Sequence, residues 1–157
     1  MKVTLKDIDE SNWIECILLT TDPDKKYNLN EEFVASNAVS IAQSKVEKGW
    51  ITKAIYNEDT MVGFAMYGFS EEDGLFEICR IMIDHKFQRK GFGREALRLI
   101  IDELSHNKNC TEIYISFDPN NHSAQKLYEE IGFENTGQIM DDEMVYCLKI
   151  ENGDRTI

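Results

Sequence analysis

Hydrophobic residues change their spacing along the chain, and these changes predict where strands and helices alternate. Apolar and polar residues alternate over 2–6, which indicates a short strand, and a helical period beginning near Trp13 indicates a first helix. A second helix is predicted from a cap at Asn30 to Gly49. The later pattern predicts strands at 51–56, 61–69, 75–83, 112–117, 133–139 and 144–150, and helices at 91–104 and 123–131.

This order of elements predicts the fold class. The strand at 75–83 is nearly continuous in apolar residues, as is typical of a strand covered on both faces at the centre of a sheet. Neither an internal repeat nor a linker divides the 157 residues. We therefore predict a single mixed α/β domain over 1–150, followed by a polar tail at 151–157.

Composition and charge limit the kinds of molecule that the chain is expected to bind. The chain carries 17 basic and 29 acidic side chains, a formal net charge of −12. Binding to a phosphate backbone requires a basic face, so no nucleic-acid partner is expected, whereas a small cationic substrate is compatible. The four cysteines form no CxxC pair and no histidine pair has metal-ligand spacing, so no metal site is predicted. No apolar leader or run of about 18 apolar residues is found, which predicts a cytoplasmic protein without a membrane segment.

The turn between the strand at 75–83 and the next helix carries the clearest chemical signal. Residues 88–94 read QRKGFGR. Two glycines spaced by one residue let backbone N–H groups converge, and a helix start adds unpaired donors and partial positive charge. Arg89, Lys90 and Arg94 add positive charge to an otherwise acidic chain. The segment therefore predicts an anion site suited to a pyrophosphate.

Other interpretations of this turn differ in the ligand. The P-loop pattern GxxxxGK[ST] is absent. Residues 91–96 fit the dinucleotide pattern GxGxx[GA], but the glycines do not follow Ile83 directly, and Glu112 begins the next strand instead of ending it. NAD binding is therefore disfavoured, while a glycine-assisted helix cap without a ligand stays open for this segment alone.

Two motifs, in order along the chain, carry a family resemblance. The first is Gln88-x-x-Gly91-x-Gly93 after an apolar strand, and the second is NHSAQKLYEEIGF at 121–133, which looks like N-x-x-A-x-x-L-Y-x-x-x-G-F. Together they resemble the GCN5-related N-acetyltransferases (GNAT) over about residues 50–150. Within that family, the segments 62–67, 80–84 and 88–93 are most similar to bacterial diamine and spermine/spermidine N-acetyltransferases.

The resemblance implies a mixed, mostly antiparallel sheet with flanking helices, in which the central parallel strands 75–83 and 112–117 splay apart around acetyl-CoA. Ile81 and Ile83 would pair with the pantetheine amides, and a backbone N–H near Met82 would polarise the thioester carbonyl. The residues implied to bind the co-substrate are Ile81, Met82, Ile83, Arg89, Lys90, Gly91, Phe92, Gly93, Arg94, Asn121 and Tyr128.

The implied reaction is attack of a neutral amine on the thioester carbonyl. Because an amine with a pKa of about 10.4 is almost fully protonated at pH 7, a base must remove a proton. Glu77 is the favoured base, since strand alternation places it on the same face as Cys79 beside the cleft. Tyr128 would protonate the leaving thiolate. Further candidate bases, which would also bind a cationic substrate, are Glu31, Glu32 and Glu143.

The leading prediction is acetyl transfer from acetyl-CoA to a primary amine of spermidine, spermine or a diamine, by direct attack in a ternary complex. One alternative keeps this chemistry but uses another small amine or a protein N-terminus. The other alternative is a non-catalytic acyl-CoA-binding module that regulates a partner. Tyr128 and Glu77 favour an enzyme, because binding alone requires neither. A homodimer is expected, since dimers are frequent in the family.

Overall fold

The computed structural model describes residues 1–24 and 36–151, and within them the chain forms seven strands and four α-helices. The strands are β1 (Val3–Asp7), β2 (Trp50–Asn57), β3 (Thr60–Ser70), β4 (Leu75–Ile83), β5 (Glu112–Phe117), β6 (Glu134–Met140) and β7 (Glu143–Lys149). The helices are α1 (Trp13–Leu18), α2 (Asn37–Val46), α3 (Phe92–Ser105) and α4 (His122–Ile131), with a 3-10 turn at His85–Phe87. None of the helices in these ranges is both long and apolar enough to span a bilayer.

The start of α2 differs from the prediction. Ser36 has an extended backbone and caps the helix, accepting a hydrogen bond from the Val39 N–H at 3.0 Å. A continuous helix from Asn30 to Gly49 is therefore wrong, because the extended Ser36 interrupts it and Glu47 already ends it in an extended conformation. Asn30 itself lies outside the described residues.

All seven strands form one sheet in the order β1-β2-β3-β4-β5-β7-β6. Every neighbouring pair is antiparallel except β4 and β5, which are parallel. The apolar strand β4 is the fourth of the seven, so the central position predicted from its composition is confirmed. The predicted mixed, mostly antiparallel α/β fold is also confirmed.

Two layers of helices cover the two faces of the sheet. α3 and α4 cover one face, where Leu97, Ile100 and Tyr128 belong to the larger apolar cluster. α1 and α2 cover the other face, where Cys16 and Met82 belong to a second, smaller cluster. Each fully buried aliphatic side chain contributes about 1.5–3 kcal/mol to folding, so the larger cluster dominates the stability of the domain.

A β-bulge interrupts β4 at Cys79. On the neighbouring strand β3, Met66 pairs with Arg80 and the next residue, Tyr67, pairs with Ile78. Cys79 therefore has no partner on β3 and is the extra residue of the bulge.

The bulge reverses which alternate residues of β4 face the larger cluster. Phe76 and Ile78 pack against that cluster before the bulge, and Ile81 and Ile83 do so after it. A regular strand would keep one parity throughout, so the bulge turns the second half of β4 relative to the first.

The parallel pairing of β4 and β5 is short. It consists of Phe76 with Ile113, Glu77 with Tyr114 and Ile78 with Ile115, and it stops where the bulge begins. Beyond this point the second half of β4 has no strand partner on its β5 side within residues 1–24 and 36–151. The predicted splay of the two central strands is thus present in the structure.

Candidate active site

The open half of β4 presents backbone groups to the cleft. The Asp84 N–H donates to the Val62 carbonyl at 2.9 Å, which makes these residues a hydrogen-bonded pair of the β3–β4 ladder. Antiparallel ladders alternate, so Met82 also bonds to β3, whereas the N–H and C=O groups of Ile81 and Ile83 point away from β3. The free N–H groups near Met82 are therefore those of Ile81 and Ile83.

Gln88 satisfies one of these free groups. Its side-chain amide donates to the Ile83 carbonyl at 3.0 Å. Sequence reasoning included Gln88 in the first motif but gave it no contact. The amide stands where a ligand N–H would bond to the strand, so a ligand that pairs with Ile83 must share or displace it.

The turn before α3 has the backbone shape of an anion site. Arg89 has φ +61° and Gly91 has φ +87°, and Gly91 is the N-cap of α3. A Cβ added to Gly93 would lie 3.6 Å from Cγ1 of Ile83 and 3.9 Å from Cδ2 of Leu127. The start of α3 therefore lies between the open end of β4 and α4, and its free N–H groups are at the mouth of the cleft.

The side chains of this turn contribute less charge than the sequence suggests. Arg94 forms an ion pair with Glu130 of α4, and this hydrogen bond lowers the pKa of the Glu130 carboxyl. The Lys90 ammonium lies over the Phe87 ring, 5.7 Å from its centroid, while Arg89 is exposed. Thus the backbone at Arg94, and not its guanidinium, is available to a phosphate.

Phe92, another residue of the predicted set, faces inward. Its side chain is 8% exposed and packs edge-on against Phe87, with ring centroids 6.5 Å apart. Phe92 can therefore offer only its backbone N–H to a ligand.

α4 supplies the other wall of the cleft. Asn121 caps the helix by accepting a hydrogen bond from the Ala124 N–H at 3.1 Å, which leaves its NH₂ group as the donor for a ligand. Tyr128 is 7% exposed, and its ring lies 5.1 Å from Phe117 and 5.9 Å from Phe133 between centroids. The phenol has no hydrogen-bond partner among the described residues. Burial, with a smaller effect of Glu143, raises the pKa of Tyr128 to about 12.

Two of the predicted carboxylates are half-buried. Glu77 lies opposite Tyr114 at the closed end of the splay, and burial, followed by the charge of Asp73, raises its pKa. Glu143 begins β7, and burial, followed by Asp118 and Asp141, raises its pKa. The other two predicted carboxylates, Glu31 and Glu32, lie outside the described residues.

The bulge residue Cys79 is exposed, and desolvation and several carboxylates raise the pKa of its thiol. Desolvation is the largest cause of the rise in this pKa to about 11, with further contributions from Glu77, Glu47 and Glu143, while Arg80 acts in the opposite direction. Glu143 also acts on the Tyr128 phenol. The charges of Glu77, Glu143 and Glu47 thus all affect one thiol, and that Glu77, Glu143 and Tyr128 form one catalytic site stays a prediction.

Glu47 is a further carboxylate whose charge adds to the raised pKa of the Cys79 thiol, and it was not singled out from the sequence. Its carboxylate accepts hydrogen bonds from Gln43 Nε2 at 2.9 Å and Trp50 Nε1 at 2.8 Å, and these lower its pKa. Its only signal in the sequence is its place at the end of a predicted helix. Within residues 1–24 and 36–151, no group of three histidine, cysteine or acidic side chains could hold a metal ion.

Comparison with known proteins places this geometry in a family. Residues 7–133 match the model of the acetyltransferase (GNAT) family. The chain is 34% identical over 113 residues to spermine/spermidine N(1)-acetyltransferase of Bacillus subtilis, covering 68% of this chain and 74% of that protein. It is 31% identical over 103 residues to [ribosomal protein bS18]-alanine N-acetyltransferase of Salmonella typhimurium, covering 59% and 67%.

The solved structures agree at the level of the fold. The PaiA N-acetyltransferase of Thermoplasma acidophilum, in complex with coenzyme A, superposes with a TM-score of 0.69 at 14% identity, over 96% of this chain and 100% of that one. The family match spans both sequence motifs, the splayed strands and the anion loop at the start of α3. This chain therefore belongs to the acetyltransferase (GNAT) family and is an N-acetyltransferase that uses acetyl-CoA.

Proposed function

We propose that the protein acetylates a primary amine of a small polyamine, such as spermidine, spermine or a diamine, by direct attack in a ternary complex. The observation that carries the proposal is the half-buried Glu77, which pairs with Tyr114 just before β4 and β5 separate, and the charges of Glu47 and Glu143 support it by adding to the raised pKa of the Cys79 thiol beside it. The likeness of the chain to the Bacillus subtilis spermine/spermidine enzyme supports the same substrate class.

The carboxylates differ in a way that suits a substrate with two cationic centres. Glu47 has a lowered pKa and stays ionised, so it is a fixed partner for an ammonium that does not react. Glu77 and Glu143 have raised pKa values, which brings a carboxylate closer to the strength needed to accept a proton near neutral pH. A polyamine supplies both a reacting amine and a distal ammonium.

Glu143 and Glu77 differ in the groups whose pKa values their charges raise. Glu143 acts on both the Cys79 thiol and the Tyr128 phenol, whereas Glu77 acts on the thiol and lies by Asp73 at the closed end of the splay. We therefore assign proton removal to Glu143, directly or through water, and binding of the substrate ammonium to Glu77. This exchanges the roles that the sequence favoured.

The remaining steps use groups already in place. After the amine loses its proton to Glu143, its nitrogen attacks the thioester carbonyl, and an N–H of Ile81 or Ile83 stabilises the charge on the carbonyl oxygen. The carbon–sulfur bond then breaks and Tyr128 donates its proton to the departing sulfur. The second proton of the acylated nitrogen passes to the Tyr128 phenolate, directly or through water, which leaves a neutral amide and restores the phenol. A pKa of about 12 keeps the phenol protonated at neutral pH, as a proton donor requires.

One observation favours a second substrate class. Arg80 follows the bulge, and its Nε donates to the Asn37 side chain at 3.2 Å, close enough to the Cys79 thiol to lower its pKa. A guanidinium at this position would suit a substrate that carries a carboxylate or peptide carbonyls, such as a protein N-terminus. The relative that acetylates an alanine of ribosomal protein bS18 makes this the alternative to test.

The decisive experiment is an amine screen with acetyl-CoA and detection of the released thiol. We expect spermidine and spermine to react faster than butylamine or a peptide with an N-terminal alanine. The KM for spermidine should rise with ionic strength, because salt screens the pairing of ammonium groups with exposed carboxylates. Preference for the peptide without a salt effect would overturn the polyamine assignment. Binding of acetyl-CoA without turnover of any amine would favour a regulatory acyl-CoA-binding module.

A further inference from the structure

Asp84, the residue that follows β4, forms a hydrogen bond with a segment that is distant in sequence. It is 4% exposed, and its Oδ2 accepts a hydrogen bond from the Thr20 N–H at 3.0 Å while its Oδ1 accepts one from the Lys86 N–H at 3.1 Å. The His85 N–H donates to the Thr20 carbonyl at 2.9 Å. Thr20 is therefore held at both its amide N–H and its carbonyl by two consecutive residues.

These hydrogen bonds connect the acetyl-CoA side and the amine side of the candidate site. Thr20 belongs to segment 19–24, which follows α1 on the face of the sheet opposite the anion loop. Asp84 directly follows Ile83, whose backbone groups face the cleft. In the proposed function acetyl-CoA enters between α3 and α4, and the amine approaches from the face that carries α1 and α2. Ile83, which faces the cleft, and Asp84, which holds segment 19–24, are thus adjacent in the chain.

We infer that Asp84 is a positioning residue. When a ligand occupies the cleft, Asp84 fixes segment 19–24 in place and thereby links acetyl-CoA binding to amine binding. A ligand amide that pairs with Ile83 fixes the end of β4, and with it the carboxylate that holds Thr20. The inference rests on the proposed function because it takes the opening between β4 and β5 as the acetyl-CoA site.

A second buried polar contact keeps the helices packed without Asp84. Asn37 is 3% exposed, and its amide donates to the Cys16 carbonyl at 2.8 Å while its Oδ1 accepts the bond from Arg80. This contact joins α1, α2 and β4 independently of Thr20. An Asp84→Asn variant should therefore fold. Its NH₂ group is itself a donor, so it cannot accept one of the two hydrogen bonds that the carboxylate accepts from the Thr20 and Lys86 N–H groups.

The test compares hydrogen exchange of segment 19–24 with and without saturating coenzyme A. In the wild type we expect coenzyme A to slow exchange there by about tenfold, the size expected for one hydrogen bond to a charged group. In Asp84→Asn this protection should be lost, while the dissociation constant for coenzyme A stays within about twofold. Asp24→Asn is the matched control, since it removes an exposed carboxylate from the same segment and should behave as wild type.

Steady-state kinetics give a second readout. In Asp84→Asn the KM for spermidine should rise by about tenfold while the KM for acetyl-CoA is unchanged. An equal response to coenzyme A in wild type and variant would overturn the inference, as would parallel losses of affinity for both substrates. Normal protection of segment 19–24 by coenzyme A without turnover of spermidine would contradict the proposed substrate and leave the positioning role of Asp84 supported.

Discussion

Arg94, in the first turn of α3, forms an ion pair with Glu130 of α4, so the two helices that form the mouth of the cleft are joined across it. The guanidinium is thereby directed away from any phosphate. An exposed pair of this kind contributes about 0–1 kcal/mol to stability, so its effect on the ligand is the more informative quantity.

The first prediction is that Glu130→Gln increases affinity for acetyl-CoA. The change releases Arg94 to approach the pyrophosphate, and we expect binding two- to fivefold tighter at low salt, with the gain lost at high salt (roughly the worth of one exposed charge pair). Titration calorimetry at two ionic strengths measures it. Glu95→Gln is the control, because it breaks the pair with Arg98 farther along α3. An equal gain in the control would show a general charge effect.

The second prediction concerns Tyr128. Tyr128→Phe keeps the ring between Phe117 and Phe133 and removes a hydroxyl without a hydrogen-bond partner in the described part of the chain, so the fold should be retained. Loss of a positioned proton donor should lower kcat and kcat/KM together by about 10²- to 10⁴-fold, with unchanged acetyl-CoA affinity.

Tyr146→Phe is the control for this variant. Its ring also packs against Phe117, at 4.8 Å between centroids, but its hydroxyl bonds to Glu129 outside the proposed mechanism. Wild-type turnover is expected here. If Tyr128→Phe keeps wild-type kcat while single-turnover measurements show chemistry to be rate-limiting, Tyr128 takes no part in the reaction.

The third prediction is a pH dependence set by Glu143. Activity should fall as pH decreases through the raised pKa of this carboxyl, since only the ionised form accepts a proton. In Glu143→Gln, kcat at neutral pH should drop, and the fall in kcat toward low pH (the acidic limb of the pH profile) should disappear. Glu77→Gln should instead raise the KM for spermidine and retain the limb. The opposite pattern in pH profiles of kcat would return the role of base to Glu77.

The same pKa shift predicts a change in stability with a definite sign. Because the folded pKa of Glu143 exceeds its ordinary value of 4.5, the folded state holds more protons between those two values. The free energy of unfolding therefore decreases as pH rises through that window. Glu143→Gln removes this loss, so its Tm relative to wild type should be higher at pH 7 than at pH 4. A difference in Tm that is independent of pH would contradict the shift.

The fourth prediction separates two glycines. Gly93→Val should leave the Tm of the free protein nearly unchanged, because an added Cβ meets Ile83 and Leu127 at ordinary contact distances. The branched side chain would then fill the mouth of the cleft, so the Tm increase caused by acetyl-CoA should be lost.

Gly91→Val serves as the contrast. Its φ of +87° is strained for a β-branched residue, at a cost of about 1–2 kcal/mol, so the free protein itself should melt at a lower temperature. Differential scanning fluorimetry with and without acetyl-CoA measures both variants. An unchanged acetyl-CoA shift in Gly93→Val would contradict the assignment of the anion loop.

Local sequence determined most of the fold. β4 and β5 begin and end at the residues predicted from apolar runs, and Gly132 ends α4 in the left-handed conformation expected of a C-cap glycine. These features depend on neighbours within a few residues, so hydrophobic spacing and turn chemistry are enough to predict them.

The site depended on contacts between residues distant in sequence. The bulge at Cys79 is defined by the pairing of its neighbours with β3. Because β4 is apolar almost throughout, its sequence does not show which alternate residues face the larger cluster before and after the bulge. The pairing of Arg94 with Glu130 joins residues 36 positions apart. Glu47 acts on the Cys79 thiol only because α2 packs on β2. Sequence reasoning could therefore name the charged groups but could not determine which were neutralised, which were half-buried and which met at the cleft.

The bulge at Cys79 has one more consequence. Among the described residues, the second half of β4 is unpaired on its β5 side, and we propose that the amides of the pantetheine arm pair with it. Under this proposal acetyl-CoA is an added strand segment, and the sheet becomes incomplete again when it leaves. Deleting Cys79 would remove the extra residue of β4, and we expect acetyl-CoA binding to be lost, because β4 could then continue its pairing with β5.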